Sequence, residues 1–278
     1  MTGPAMLQLR SVSRHFGGLQ VLQDVNLAVP AGGIFGLIGP NGAGKTTVFN
    51  LVTGLLAPSR GEIELDGTSL LGRPPHRITQ AGIARTFQNI RLFKAMSLID
   101  NVVVGMHRHL HAGWPATLLA LPRFRAEERR ARERARELLS WVRLEHKADE
   151  RADALSYGEQ RKLELARALA TEPRLLLLDE PVAGMNSTEK TELMREIAHI
   201  RDRGYTVFMI EHDMRFVMGL CEQIAVLNFG RVIAQGEPAR IRRDPQVIEA
   251  YLGRDDEDGG ECRRETGSET GSLGPALG

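Results

Sequence analysis

Nine consecutive residues carry the clearest chemistry in this 278-residue chain: Gly39, Pro40, Asn41, Gly42, Ala43, Gly44, Lys45, Thr46 and Thr47. They fit the pattern G-x-x-x-x-G-K-[ST]. Glycines let the backbone approach phosphate oxygens and turn several N–H groups inward. A helix opening at Lys45 adds the partial positive charge of its N-terminus. Lys45 supplies a full cation for β- and γ-phosphates, and Thr46 offers a hydroxyl to Mg²⁺. Without its flanks the string would be a glycine-rich turn. An apolar run before it (GIFGLIG, 33–39) and helix formers after it, to about Gly54, give the strand–loop–helix context that phosphate binding requires.

A phosphate loop needs a carboxylate at the end of a neighbouring strand to hold Mg²⁺. Asp179 ends the run LLLL and meets that need. Glu180, the next residue, is placed to polarise an attacking water as a base. An Asp-Glu at a strand end is more often a turn; the phosphate loop is what gives this one its reading. His212 follows the apolar YTVFMI (205–210). A lone histidine is usually structural, but a position just past a sheet strand makes it a site candidate. His107 and His111 are four apart, as zinc ligands on a helix face are, yet no cysteine or carboxylate cluster accompanies them.

The elements that must position these groups are legible from apolar patterning. MLQLRSV (6–12), LQDVNLAV (22–29), GIFGLIG (33–39) and GEIELDG (61–67) read as strands between glycine-rich turns. From about Ser97 to Ala170 no strand is expected. Within that stretch RFRAEERRARERARELLSWVRLEH (123–146) is a charged helix with Ala131, Ala135, Leu138, Leu139 and Val142 on one stripe. Glu128 and Arg132 stand in the favourable i,i+4 order. The glutamates interleaved among its arginines make it a solvated amphipathic helix rather than a nucleic-acid arm. The last third alternates again: RLLLLDE (174–180), a helix over 187–203, YTVFMI, a helix from Asp213, QIAVLNF (223–229) and RVIAQG (231–236). Apolar strands without alternation, separated by helices, predict an α/β fold with a mainly parallel sheet.

Composition narrows the classes further. Basic and acidic residues number 36 and 35, a formal charge of +1, which argues against bulk attraction to nucleic acid or anionic lipid. Two cysteines make no disulfide framework and fit a reducing, cytosolic setting. We find no signal-peptide pattern and no apolar run approaching the roughly 18–20 residues that cross a bilayer. Any membrane role is therefore expected to run through a partner. From Arg254 the sequence turns glycine-rich and loses its aromatics, predicting a disordered tail over 254–278.

Leu155-Ser156-Tyr157-Gly158-Glu159-Gln160 resembles the L-S-G-G-Q signature of the ATP-binding cassette (ABC) family. Tyr157 stands for a glycine and Glu159 for the glutamine, and neither has an assigned role; Ser156 and Gly158 are retained. The resemblance implies that Phe16 stacks on adenine, that Gln88 in ARTFQN approaches Mg²⁺ and the attacking water, and that His212 contacts the γ-phosphate. It implies that PVAGMN (181–186) is the loop after the acid pair, with Asn186 where aspartate is common. It further implies a P-loop NTPase core over 1–253, with an N-terminal antiparallel β-subdomain and an inserted helical subdomain at about 89–170. Ser156 and Gly158 would close over ATP held by a second ATP-binding subunit. Catalysis would then rest on Glu180, His212 and Gln88, and Mg²⁺ on Thr46, Gln88 and Asp179.

FGGLQVLQDVNL, GIARTFQNIRLFKAMSLIDNVVVGMH, LSYGEQRKLELARAL and VIEAYLG are similar to the larger ATP-binding subunit of branched-chain amino acid importers. That resemblance implies two membrane-spanning permease subunits, a periplasmic solute-binding protein and a place on the cytoplasmic face of the membrane. Import of urea or short amides, export, and a soluble ABC ATPase acting on nucleic acid or ribosomes are the alternatives. A P-loop metabolite kinase is a further one, but it would leave LSYGEQ without a job. Nucleic acid is not expected as a partner.

Overall fold

The computed structural model describes residues 5–106 and 122–252. His107, His111 and the expected tail over 254–278 lie outside the described residues. In chain order the elements are β1 (Ala5–Phe16), β2 (Leu19–Pro30), β3 (Ile34–Ile38), α1 (Lys45–Val52), β4 (Arg60–Leu65) and β5 (Thr68–Ser69). Next come α2 (Pro75–Gln80), β6 (Ile83–Arg85), α3 (Leu98–Gly105), α4 (Pro122–Trp141) and α5 (Tyr157–Leu169). The chain continues through β7 (Leu175–Asp179), α6 (Ser187–Asp202), β8 (Thr206–Ile210), α7 (Met214–Leu220), β9 (Gln223–Asn228), β10 (Arg231–Gly236), α8 (Pro238–Ile241) and α9 (Pro245–Leu252).

Two sheets form. An antiparallel one runs β2-β1-β4-β5, and a six-stranded one runs β10-β9-β3-β8-β7-β6. In the second, every pairing but β9–β10 is parallel. All residues of β3, β7 and β8 are buried, as expected for strands covered on both faces. Period-2 alternation divides them between two apolar clusters. Ile34, Leu176, Leu178, Val207 and Met209 join the cluster made with α3 to α7. Phe35, Leu37, Leu175, Leu177, Phe208 and Ile210 join the one made with α1 and the antiparallel sheet. Phe208 meets Phe35 and Phe49 edge to face at 5.5 and 5.0 Å. Such pairs contribute about 0.5–1.5 kcal/mol each beyond burial, and here they fix α1 against the strands that flank it.

The expected stripe is the buried one, although α4 ends at Trp141 rather than near His146: Ala135, Leu138 and Leu139 on α4 and Val142 just beyond it are fully buried, and Ala131 nearly so. Glu128 meets Arg132 at 3.4 Å. Two features differ from expectation. β1 runs on to Phe16 rather than ending near Val12, because a register shift between Leu9 and Val12, with Ser11 at φ 48°, resets the alternation mid-strand. β6 is three residues long, too short to show a period, and pairs only with β7.

Candidate active site

The phosphate-loop candidates, the acid pair, Gln88 and His212 follow the C-terminal ends of β3, β7, β6 and β8, the edge where open α/β sheets bind ligands. In the first loop, glycine is required by contact as well as conformation. A Cβ on Gly39 (φ 151°) would stand 2.0 Å from the Leu227 carbonyl oxygen, and one on Gly44 (φ 104°) 2.7 Å from Leu22 Cδ2. Lys45 is buried, and its Nζ donates to the carbonyls of Gly39 (2.6 Å) and Pro40 (3.0 Å). Thr46 is exposed and Thr47 half-buried. α1 has no side-chain cap and no acid in its first turn. By contrast Ser97, Ser156, Asn186 and Asp213 cap α3, α5, α6 and α7 with accepted N–H bonds. No capping side chain thus covers the start of α1, an arrangement that suits an anion there.

Asp179 is buried at the end of β7, and its Oδ2 lies 2.6 Å from Arg85 Nη2. The same guanidinium donates from Nη1 to Asn50 Oδ1 at 2.7 Å. Glu180 leaves the strand in a left-handed conformation (φ 48°), sparsely populated for a non-glycine residue, while its N–H bonds the Ile210 carbonyl at 2.9 Å. Gln88 Nε2 donates to Glu180 Oε2 at 3.1 Å, and His212 Nδ1 lies 3.8 Å from Glu180 Oε1. Two of the candidate residues, Gln88 and His212, are therefore gathered around the carboxylate of a third, Glu180.

Two charged residues central to this arrangement were absent from the candidates. Arg85 is the counter-ion of Asp179; its only sequence signal is its place three residues before Gln88. Glu211 is fully buried. Its oxygens accept the N–H groups of Val182 (3.1 Å), His212 (2.9 Å) and Asp213 (3.2 Å), so one carboxylate ties the turn after Glu180 to the turn carrying His212. The signal for Glu211 is an acid directly after β8, just as Glu180 directly follows β7.

Ser156 and Glu159 form a reciprocal capping box at the start of α5. Glu159 also bonds Lys147 at 2.6 Å. Burial works against its charge, but the bonds from Lys147 and Ser156 outweigh that and hold its carboxyl below the ordinary value. The glutamate in the signature thus has a structural explanation. A Cβ on Gly158 would lie 2.8 Å from Glu189 Oε1, so the tip of the side chain that completes the α6 cap would have to shift. Asn186 caps α6 as an aspartate would. Phe16 ends β1 at 42% exposure with the Arg14 guanidinium 4.5 Å from its ring centroid, leaving ring surface for a second stack.

The family model described as ABC transporter matches residues 22–183, over half the chain. The chain belongs to the ABC transporter family. A second model, described as branched-chain amino acid ATP-binding cassette transporter, matches residues 231–257 of the cassette. The cassette is 47% identical to the high-affinity branched-chain amino acid transport ATP-binding protein BraF of Pseudomonas aeruginosa and 44% identical to LivG of Escherichia coli. Each match covers 89% of this chain and 98% of the relative. Among solved structures it resembles the cassette MJ1267 in its ADP conformation, with a TM-score of 0.77 and 27% identity over 90% of this chain and 99% of that one. It also resembles the dimeric cassette MJ0796 bound to ADP and phosphate, with a TM-score of 0.70 and 25% identity over 84% and 99%. The protein is thus an ABC-family ATPase with the P-loop fold expected of it. Among the described residues no helix is long and apolar enough to cross a membrane.

Proposed function

We propose that this cassette powers import of branched-chain amino acids. It would work from the cytoplasmic face, with two permease subunits, a second ATP-binding subunit and a periplasmic solute-binding protein. The observation that carries the reading is similarity over 89% of the chain to two such ATPases, together with the branch-specific match over 231–257.

The site's own residues suit ATP hydrolysis. The glycine cradle and the open start of α1 receive the phosphates. Lys45 exchanges two neutral carbonyl partners for charged phosphate oxygens, a stronger class of hydrogen bond. Phe16 stacks on the base. Thr46, Asp179 and the amide oxygen of Gln88 are hard oxygen donors that fit Mg²⁺ and would hold it. Bound there, Mg²⁺ neutralises phosphate charge. Glu180, held by Gln88 and next to His212, orients and deprotonates the attacking water, and His212 faces the γ-phosphate. Ser156 and Gly158 close over nucleotide on the partner cassette. ATP favours the closed pair and hydrolysis releases it, a switch driven by differential affinity.

A cleft of about 410 Å³ lies between α2, β6, α3 and α5, lined by Leu55, Phe87, Phe93, Val104, Glu164 and Arg167. Leu55, Phe93 and Val104 are exposed. We assign this cleft, beside Gln88, as the seat of a permease segment. Glu180→Gln tests the chemistry: phosphate release falls by about 10²–10⁴-fold while ATP binding persists. Unchanged turnover removes Glu180 from the base role. Loss of leucine, isoleucine and valine uptake on gene deletion, with urea uptake intact, tests the solute class.

A further inference from the structure

The first turn of α5 is wired to the catalytic carboxylate of its own chain. Arg161, 4% exposed, grips two successive carbonyls: Nη1 donates to Phe87 O at 2.7 Å and Nη2 to Gln88 O. The same Nη2 donates to the Tyr157 hydroxyl at 2.9 Å. Thr86 makes the last ladder bond of this segment, and residues 87–92 lie in neither helix nor strand, so the fork replaces a ladder that is not there. Gln88 in turn donates its amide to Glu180. The Tyr157 ring rests against Gly184 in the turn after Glu180; a Cβ on Gly184 would be 3.0 Å from Tyr157 Cε1. Glu164, 3.6 Å away, supplies the opposing charge.

We propose that Arg161 is a positioning residue for ATP hydrolysis. It fixes the Gln88 backbone so that the Gln88 amide orients Glu180, and Tyr157 steers the fork. Movement of the signature turn is thereby reported to this chain's own base without passing through nucleotide. The tyrosine that replaces a signature glycine gains a role: it is the contact between that turn and both loops. The proposal rests on the reading of Glu180 as the base.

The test is a double-mutant cycle on the full chain, with MgATP turnover, equilibrium ATP binding and thermal melting measured for each variant. Arg161→Lys keeps the charge facing Glu164, but an ammonium lacks the planar fork that spans two carbonyls. The expected result is a kcat about tenfold lower, with KM and ATP affinity within about twofold of the parent. In a Gln88→Ala background Arg161→Lys lowers kcat no further. Additive losses, or a parental kcat, overturn the proposal. The pair Arg161→Gln with Glu164→Gln removes both buried charges and covers the case in which Arg161→Lys does not fold; the same kcat loss is expected, and full activity overturns the proposal. Glu180→Gln separates the levels. If it and Gln88→Ala both leave turnover intact, the assignment of the base falls and this proposal with it. If they lower turnover and Arg161→Lys does not, only the proposal falls.

Discussion

Lys45 Nζ lies on the carbonyl oxygens of Gly39 and Pro40, so its charge already points into the loop it is proposed to serve. Charge-assisted bonds contribute about 1.5–3 kcal/mol. Lys45→Ala is therefore expected to weaken MgATP binding about tenfold or more, measured by calorimetric titration; undiminished affinity contradicts the phosphate-loop assignment. At this scale the phosphate loop, Asp179, Glu180 and His212 stand out as candidates because they sit in a motif or just past an apolar strand, and Gln88 only because ARTFQN resembles a family segment. Arg85 and Glu211 were not. Arg85 meets Asp179 94 residues away, and Glu211 bonds Val182 29 residues away, and no local spacing announces either. Glu159 and Asn186 were visible as departures, but their capping roles needed the helix starts to be seen.

Among the elements, β3, β7 and β8 could be read because continuous apolar runs are the mark of strands buried on both faces. β6 and the true length of β1 could not, one being too brief for a period and the other broken by a bulge. The start of α7 offers a test that involves no nucleotide. Asp213 accepts the Phe216 N–H and bonds Lys190 Nζ at 2.7 Å. The Lys190 bond, more than any other influence, holds the Asp213 carboxyl below its ordinary value. A depressed folded value means the stabilisation is complete above the unfolded value, near 3.9, and is lost as pH falls towards the folded one. Asp213→Ala is expected to cost about 1 kcal/mol at pH 7. The gap from the parent should narrow below about pH 4. Urea midpoints followed from pH 7 to 3 check both; a gap that does not depend on pH assigns the loss to packing.

For the whole molecule, the proposed work requires two cassettes. With ATP retained by Glu180→Gln, the chain is expected to run at twice the monomer mass in light scattering, alone or mixed with its pairing subunit. Ser156→Arg, which places bulk where the partner's nucleotide would sit, should return it to monomer. A single-cassette mass in every mixture overturns the closing model. The α/β class and the mainly parallel sheet were readable at this scale. The cleft beside Gln88 was not, because it is assembled from α2, β6, α3 and α5, which meet only in three dimensions.

The division of the central sheet sets which changes β7 can absorb. Leu175 and Leu177 face the cluster made with α1 and the antiparallel sheet, while Leu176 and Leu178 face the one made with α3 to α7. Neighbouring residues of one strand thus answer to different packing partners. A substitution at one position is therefore absorbed on one side of the sheet, whereas inserting one residue in β7 would scramble both sides at once.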